Sequence, residues 1–183
     1  PFVRPPTHEL LHSTAVVVGL RTDADAVAGL RAAAKAIRRA ARHEPSANVS
    51  NVGGWQSRAD FLMDEKEVLT PLYPIVYDAI LEYLVLALPA ALLPTAATLD
   101  LRLTGWANAN RQADSNAIHD HVDQDWALSG VLYLDDAGDD ECGLTFANPI
   151  PADARRPGAR PIPEAPPPLA TPRPGRTLVF PSW

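Results

Sequence analysis

A single cysteine, Cys142, rules out any disulfide within the chain and suits a reducing cytosol. No apolar run is long enough to cross a bilayer. The longest, residues 83–99, is interrupted by Pro89 and Pro94. The opening "PFVRPPTHELLHS" has neither a charged n-region nor an apolar h-region, so no secretory signal is read there and a cytoplasmic protein is expected. An excess of basic residues is also missing. The net charge of −6 argues against nucleic acid as an electrostatically recruited partner. No membrane association is expected either.

At 183 residues the chain reads as one domain, with a core that needs no covalent staples. It opens on Pro1 and stops at Trp183, directly after the strand-like "RTLVFPSW". Termini ordinarily fray in polar sequence, so the domain is expected to be truncated at its C-terminus.

"STAVVVGL", residues 13–20, is short and β-branched, which predicts a strand. Thr22 or Asp23 then caps an alanine-rich helix reaching about His43. "SNVGGWQS" is turn chemistry around Gly53 and Gly54, with a tryptophan expected to pack on the core. A second helix is expected over about 66–88. Leu69, Leu72, Tyr73, Val76, Ile80, Leu84 and Leu88 form its stripe, and Pro71 and Pro74 split off its first turn. From about Thr98 the pattern changes. "LDLRLTGWANAN", "ALSGVLYL", "GLTFANP" and "RTLVF" predict four short strands, as in a sandwich or barrel. Residues 149–175, dense in proline, read as a polyproline II loop that could line a site.

The chemistry concentrates in "SNAIHDHVDQDWALSGVLYL", residues 115–134. In an extended segment His119, His121 and Asp123 share one face. The ends of the trio are ~13 Å apart, at about 3.3 Å per residue. Metal–ligand bonds of about 2.0–2.2 Å cannot close that gap from both ends. A neighbouring pair is therefore expected to bind one ion, either His121 with Asp123 or His119 with His121. A His-x-Asp pair plus a distant histidine is the facial triad of non-heme Fe(II) oxygenases. On spacing alone, a solvated loop carrying Asp120, Asp123 and Asp125 is the favoured reading, and the strand that follows shifts the balance toward the metal pair.

The ordered set "SNVGGWQS", "GWANAN", "SNAIHDHVD", "SGVLYL", "GLTFANP" and "PGRTLVFPSW" covers residues 50–183. It resembles a family of bacterial and phage Fe(II)/2-oxoglutarate-dependent oxygenases. The resemblance implies an α+β fold, mainly β. Its core would be a double-stranded β-helix (jelly-roll) with helices packed on one outer face. It also implies Fe(II), 2-oxoglutarate and O2 as reaction partners, giving succinate, CO2 and a hydroxylated product. By resemblance His121 and Asp123 are the iron ligands, with His119 as an alternative. Tyr133 reaches the distal carboxylate of 2-oxoglutarate, and Ser129 and Val131 share its face while Leu132 and Leu134 turn away. Asn108 and Asn116 are candidates to bind the cosubstrate or order the iron ligands, and Trp106 and Trp126 read as packing.

The family continues past "FPSW" with a distal histidine and a carboxylate-binding arginine. Here nothing follows Trp183, and His8, His12 and His43 all precede the strand region. Two further readings stay open: a catalytically silent jelly-roll that binds or builds, and a cupin-like metalloenzyme using His119 and His121 without 2-oxoglutarate. The primary substrate is not encoded in any of these motifs.

Overall fold

The computed structural model describes residues 9–11, 14–64, 69–92, 98, 100–121, 126–136, 142–146 and 171–182. Asp123 and most of the proline-rich segment, 149–170, lie outside the described residues. The described part is mixed α+β, with small antiparallel sheets and two helices.

Strand β1 (Glu9–Leu11) pairs with β2 (Thr14–Leu20), which carries the predicted β-branched run. Helix α1 (Ala24–His43) begins at Asp23, whose carboxylate accepts from the Ala26 N–H at 3.0 Å. That bond satisfies one of the free donors of the first turn. Asp25 at the start and Arg42 and His43 at the end complement the helix dipole. The buried face of α1 is Ala26, Leu30, Ala33, Ile37 and Ala40, where small side chains permit close approach. Two-residue strands follow. β3 (Asn51–Val52) and β4 (Trp55–Gln56) flank Gly53 and Gly54, whose φ values of 74° and 59° are left-handed. The predicted turn is there, but its flanks are strands. Trp55 packs edge-on against Phe61 at 6.0 Å, and its Nε1 donates to Glu44 O.

A single helical turn (Phe61–Asp64) and a 3-10 turn (Thr70–Leu72) precede helix α2 (Tyr73–Ala87). Pro71 and Pro74 sit in first-turn positions, where a missing N–H costs nothing. The inward face of α2 is Ile75, Ala79, Ile80 and Tyr83. The expected stripe is rotated: Val76, Leu84 and Leu88 are only half-buried. Helix α2 is apolar nearly all round, so its periodicity selected no unique face, and Tyr77, Leu81 and Val85 remain exposed.

β5 (Asn108–Ala109) pairs with β4, and β6 (Ser115–Asn116) pairs with β3. The strand expected over 99–110 shrinks to two residues. Upstream of it, Ala107 O and Gly105 O accept from Ser57 and Leu62, and Ala107 N–H donates to Ser57 Oγ, which replaces a continuous ladder. β7 (Leu128–Leu132) and β8 (Arg176–Pro181) complete the sheet order β1-β2-β8-β7. The segment around Leu144 and Phe146, also expected as a strand, has no ladder among the described residues. It lays both side chains on the sheet instead.

The sheet has two unlike faces. Leu132 and Leu134 pack on the α1 core, and Leu128 and Val179 pack on Ala79 and Tyr83 of α2. Both helices therefore cover one side. The opposite side carries Val18, Val131, Tyr133, Leu178 and Phe180, with Phe146 edge-on to Phe180 at 4.8 Å. Gly175 starts β8 at φ 82°, with its missing Cβ only 2.2 Å from Arg21 O. No helix among the described residues is long and apolar enough to cross a membrane.

Leu178 is fully buried at the centre of the helix-free side. Leu178→Ala is expected to cost about 2–5 kcal/mol through lost burial and a residual cavity. A lower denaturant midpoint at unchanged slope is the measurement that checks it.

Candidate metal centre

His121 lies where the chain after β6 crosses the end of the β7/β8 pair. Its backbone N–H donates to Ser182 O at 3.0 Å, and the Ser182 N–H donates to Ala127 O at 3.3 Å. These bonds hold the histidine against the sheet from two sides. The pairing Ser129↔Phe180 and the alternation along β8 bring Ser129 and Ser182 to the helix-free face. There His121 Nδ1 is 2.8 Å from Ser129 Oγ, and Ser129 Oγ is 2.9 Å from Ser182 Oγ.

Two indoles, 5.8 Å from each other, form a triangle of rings with the imidazole. Trp106 lies at 5.4 Å and 90°, Trp126 at 5.3 Å and 69°, both edge-to-face with the imidazole. The sequence reading of both tryptophans as packing is therefore incomplete, because what they pack against is the candidate ligand. The other ring nitrogen, Nε2, is buried and has no hydrogen-bond partner among the described residues. Such a defect costs about 1–3 kcal/mol unless something binds there. A neutral imidazole with its Nδ1 held has the chemistry to offer Nε2 as an acceptor or as a metal ligand. Burial pushes the His121 pKa down, the neighbouring His119 lowers it further, and Asp120 opposes both.

His119 is exposed, and its Nδ1 donates to Ala117 O at 2.7 Å, so its free nitrogen is also Nε2. The two histidine rings are 5.0 Å apart. Two imidazoles bound to one ion at about 2.0–2.1 Å have ring centres roughly 4.5–5 Å apart. The separation of the two rings falls in that range. Among the described residues no group of three His, Cys, Asp or Glu side chains gathers to hold an ion. Asp123, the expected carboxylate partner, falls outside the described residues.

Tyr133 stands one residue past β7, opposite Arg176; its N–H donates to Arg176 O at 2.9 Å and its carbonyl accepts from the Gly175 N–H at 2.9 Å. Val131 and Tyr133 face the helix-free side and Leu132 and Leu134 the helices, as the alternation predicts. The Tyr133 phenol lies among apolar side chains, and burial raises its pKa against the lowering effects of the Leu144 N–H and the Arg176 charge. Arg176 was not among the residues singled out from the sequence. Burial depresses its pKa, and its Nη1 donates to Thr171 O at 2.5 Å. About 13 Å of strand separates Ser129 from Tyr133.

The two asparagines stand elsewhere. Asn116 bridges Asn110 at 2.9 Å and Ser50 at 3.3 Å, ordering the β3/β6 turn region. Asn108 is exposed on β5 opposite Gln56. Ser182, the second member of the hydroxyl chain, was also missed. Its signal was the even spacing from Leu178 and Phe180, but only the strand register shows what it faces.

Comparisons with protein-family models, curated proteins and solved structures each return no match.

In the metal-free protein, the His121 ring is expected to titrate below the ordinary value of about 6.5. A base whose folded pKa is depressed stabilises the fold fully above the unfolded value. That contribution is lost as pH falls through the folded pKa, because the unfolded chain binds the extra proton first. NMR titration of the ring protons, alongside unfolding midpoints from pH about 7 to 5, checks both.

Proposed function

We propose that this protein is an Fe(II)/2-oxoglutarate-dependent oxygenase. In this reading the four-stranded sheet is one layer of a double-stranded β-helix, and its helix-free face is the floor of the active site. The observation that carries the reading is the bare, buried Nε2 of His121 on that face. Supporting it are the motif set of residues 50–183 and the Tyr133–Arg176 pair further along the same strands.

His121 and Asp123 supply an imidazole and a carboxylate, the donor types that suit ferrous iron. Held by these residues, ferrous iron would supply the oxidative chemistry by which 2-oxoglutarate and O2 give succinate, CO2 and a hydroxylated substrate, one oxygen atom going to succinate and the other into the C–H bond. The chain's own residues do the rest. Ser129 and the two indoles fix the imidazole. Tyr133 donates to the far carboxylate of 2-oxoglutarate, and the Arg176 guanidinium beside it favours an anion there. The apolar surroundings of Tyr133 strengthen that bond by excluding water. The compartment this reading calls for is the reducing cytoplasm, where the exposed Cys142 thiol also persists.

The 5.0 Å spacing of His119 and His121 favours a second reading, a cupin-like metalloenzyme that binds its ion through both histidines and does not use 2-oxoglutarate. Calorimetric titration of 2-oxoglutarate into the anaerobic Fe(II) protein separates the two.

In the intact gene product, His121→Ala is expected to abolish tight Fe(II) binding and 2-oxoglutarate-dependent succinate formation together. Turnover persisting in that variant refutes the assignment. Tyr133→Phe is expected to raise the KM for 2-oxoglutarate about 10-fold or more, the worth of a hydrogen bond to a charged group, with a smaller change in kcat. Steady-state succinate assays measure both.

A further inference from the structure

A neutral imidazole carries its proton on one nitrogen and a lone pair on the other, so whichever group holds Nδ1 decides what Nε2 can do. At His121 that group is a serine hydroxyl. Ser129 Oγ is 2.8 Å from Nδ1, and Ser182 Oγ lies 2.9 Å beyond it. We infer that Ser129, backed by Ser182, is a positioning residue that accepts a hydrogen bond from the Nδ1–H of His121, keeps the proton there and leaves the Nε2 lone pair exposed for a cation. The inference rests on the metal-site reading above.

The nature of the donor left over supports one polarity. The Nδ1–H donates to Ser129 Oγ, and the Ser129 hydroxyl then donates its own proton to Ser182 Oγ. Both bonds of the chain are made, Nε2 is left as an acceptor, and the donor left over is the Ser182 hydroxyl proton, which can rotate. The reverse polarity places a proton on Nε2, where no acceptor is found among the described residues. A buried N–H without an acceptor is the rarer defect in folded proteins. It would also point a proton at the position a cation must occupy.

The hydroxyl chain is held firmly. Ser129 is fixed by its ladder position opposite Phe180, and Ser182 is buried, with its carbonyl bonded to the His121 N–H. One short strand end therefore sets the backbone and the ring of the same residue. A carboxylate commonly holds the outer nitrogen of a metal-binding histidine. A hydroxyl selects the tautomer in the same way without adding a negative charge next to two indoles, where a bare carboxylate would be costly.

The test starts with the metal-free protein. Nitrogen-15 NMR of labelled histidine in mildly alkaline buffer is expected to find the His121 proton on Nδ1 in the wild type and a tautomer mixture in Ser129→Ala. A proton on Nε2 in the wild type overturns the proposal, and so does an undiminished Nδ1–H tautomer in the variant. Ser129→Ala keeps the strand backbone and removes one buried hydroxyl, and its thermal midpoint confirms that it folds. Cobalt(II) titration then reads the consequence. Ser129→Ala should weaken binding about 10–100-fold, the usual effect of losing an outer-nitrogen partner, and Ser129→Thr should restore most of it. Equal cobalt affinity in wild type and Ser129→Ala overturns the positioning role. A wild type that shows the Nδ1–H tautomer but takes up no cobalt refutes the metal centre instead, and leaves the tautomer control by Ser129 standing.

Discussion

The antiparallel register of β7 against β8 is the constraint on which the rest depends. With Ser129 opposite Phe180 and Val131 opposite Leu178, side chains sort into a helix-covered face and a helix-free face. A slip of one residue would exchange the two sets, sending Leu128 and Leu132 away from the helices and Ser129 and Tyr133 into them. Burial of leucines against α1 and α2 therefore enforces, at a distance, the presentation of polar groups on the other side. The core stabilises the site without touching it.

That other side is not uniformly polar. At one end it is apolar around Leu178, and at the other it holds a histidine packed against a pair of indoles, with two serine hydroxyls beside its ring. These surroundings lower the dielectric around the imidazole and disfavour its charged form. The same surroundings make its unpaired nitrogen costly. A fold retains a buried polar group without a partner where something else satisfies it, and this is the physical reason to look for a ligand at Nε2.

Much of the frame was legible from residues alone. Asp23 as a cap, the alanine face of α1, the β-branched β2 and the Gly53–Gly54 turn are local effects, decided within a few residues. Tyr133 sharing a side with Val131 follows from strand geometry. The face of α2 was not legible, because a helix apolar on most sides can bury any of them, and the sheet rather than the sequence picked Ile75, Ala79 and Tyr83. Nor was the fate of residues 143–146, where apolar side chains found a surface to cover without a strand to pair with.

The sequence by itself determined which residues could do chemistry: two histidines and an aspartate at alternate positions, followed by a strand carrying a serine and a tyrosine. Spacing along a chain is a local property, and alternation is enough to group those side chains. Only the tertiary structure decided that Ser182 stands behind Ser129, that Trp106 and Trp126 flank His121, and that Arg176 lies across from Tyr133. The β7/β8 pairing brings Ser182 and Arg176 to Ser129 and Tyr133 from far along the chain, whereas the two indoles reach His121 through the packing of the segments around it.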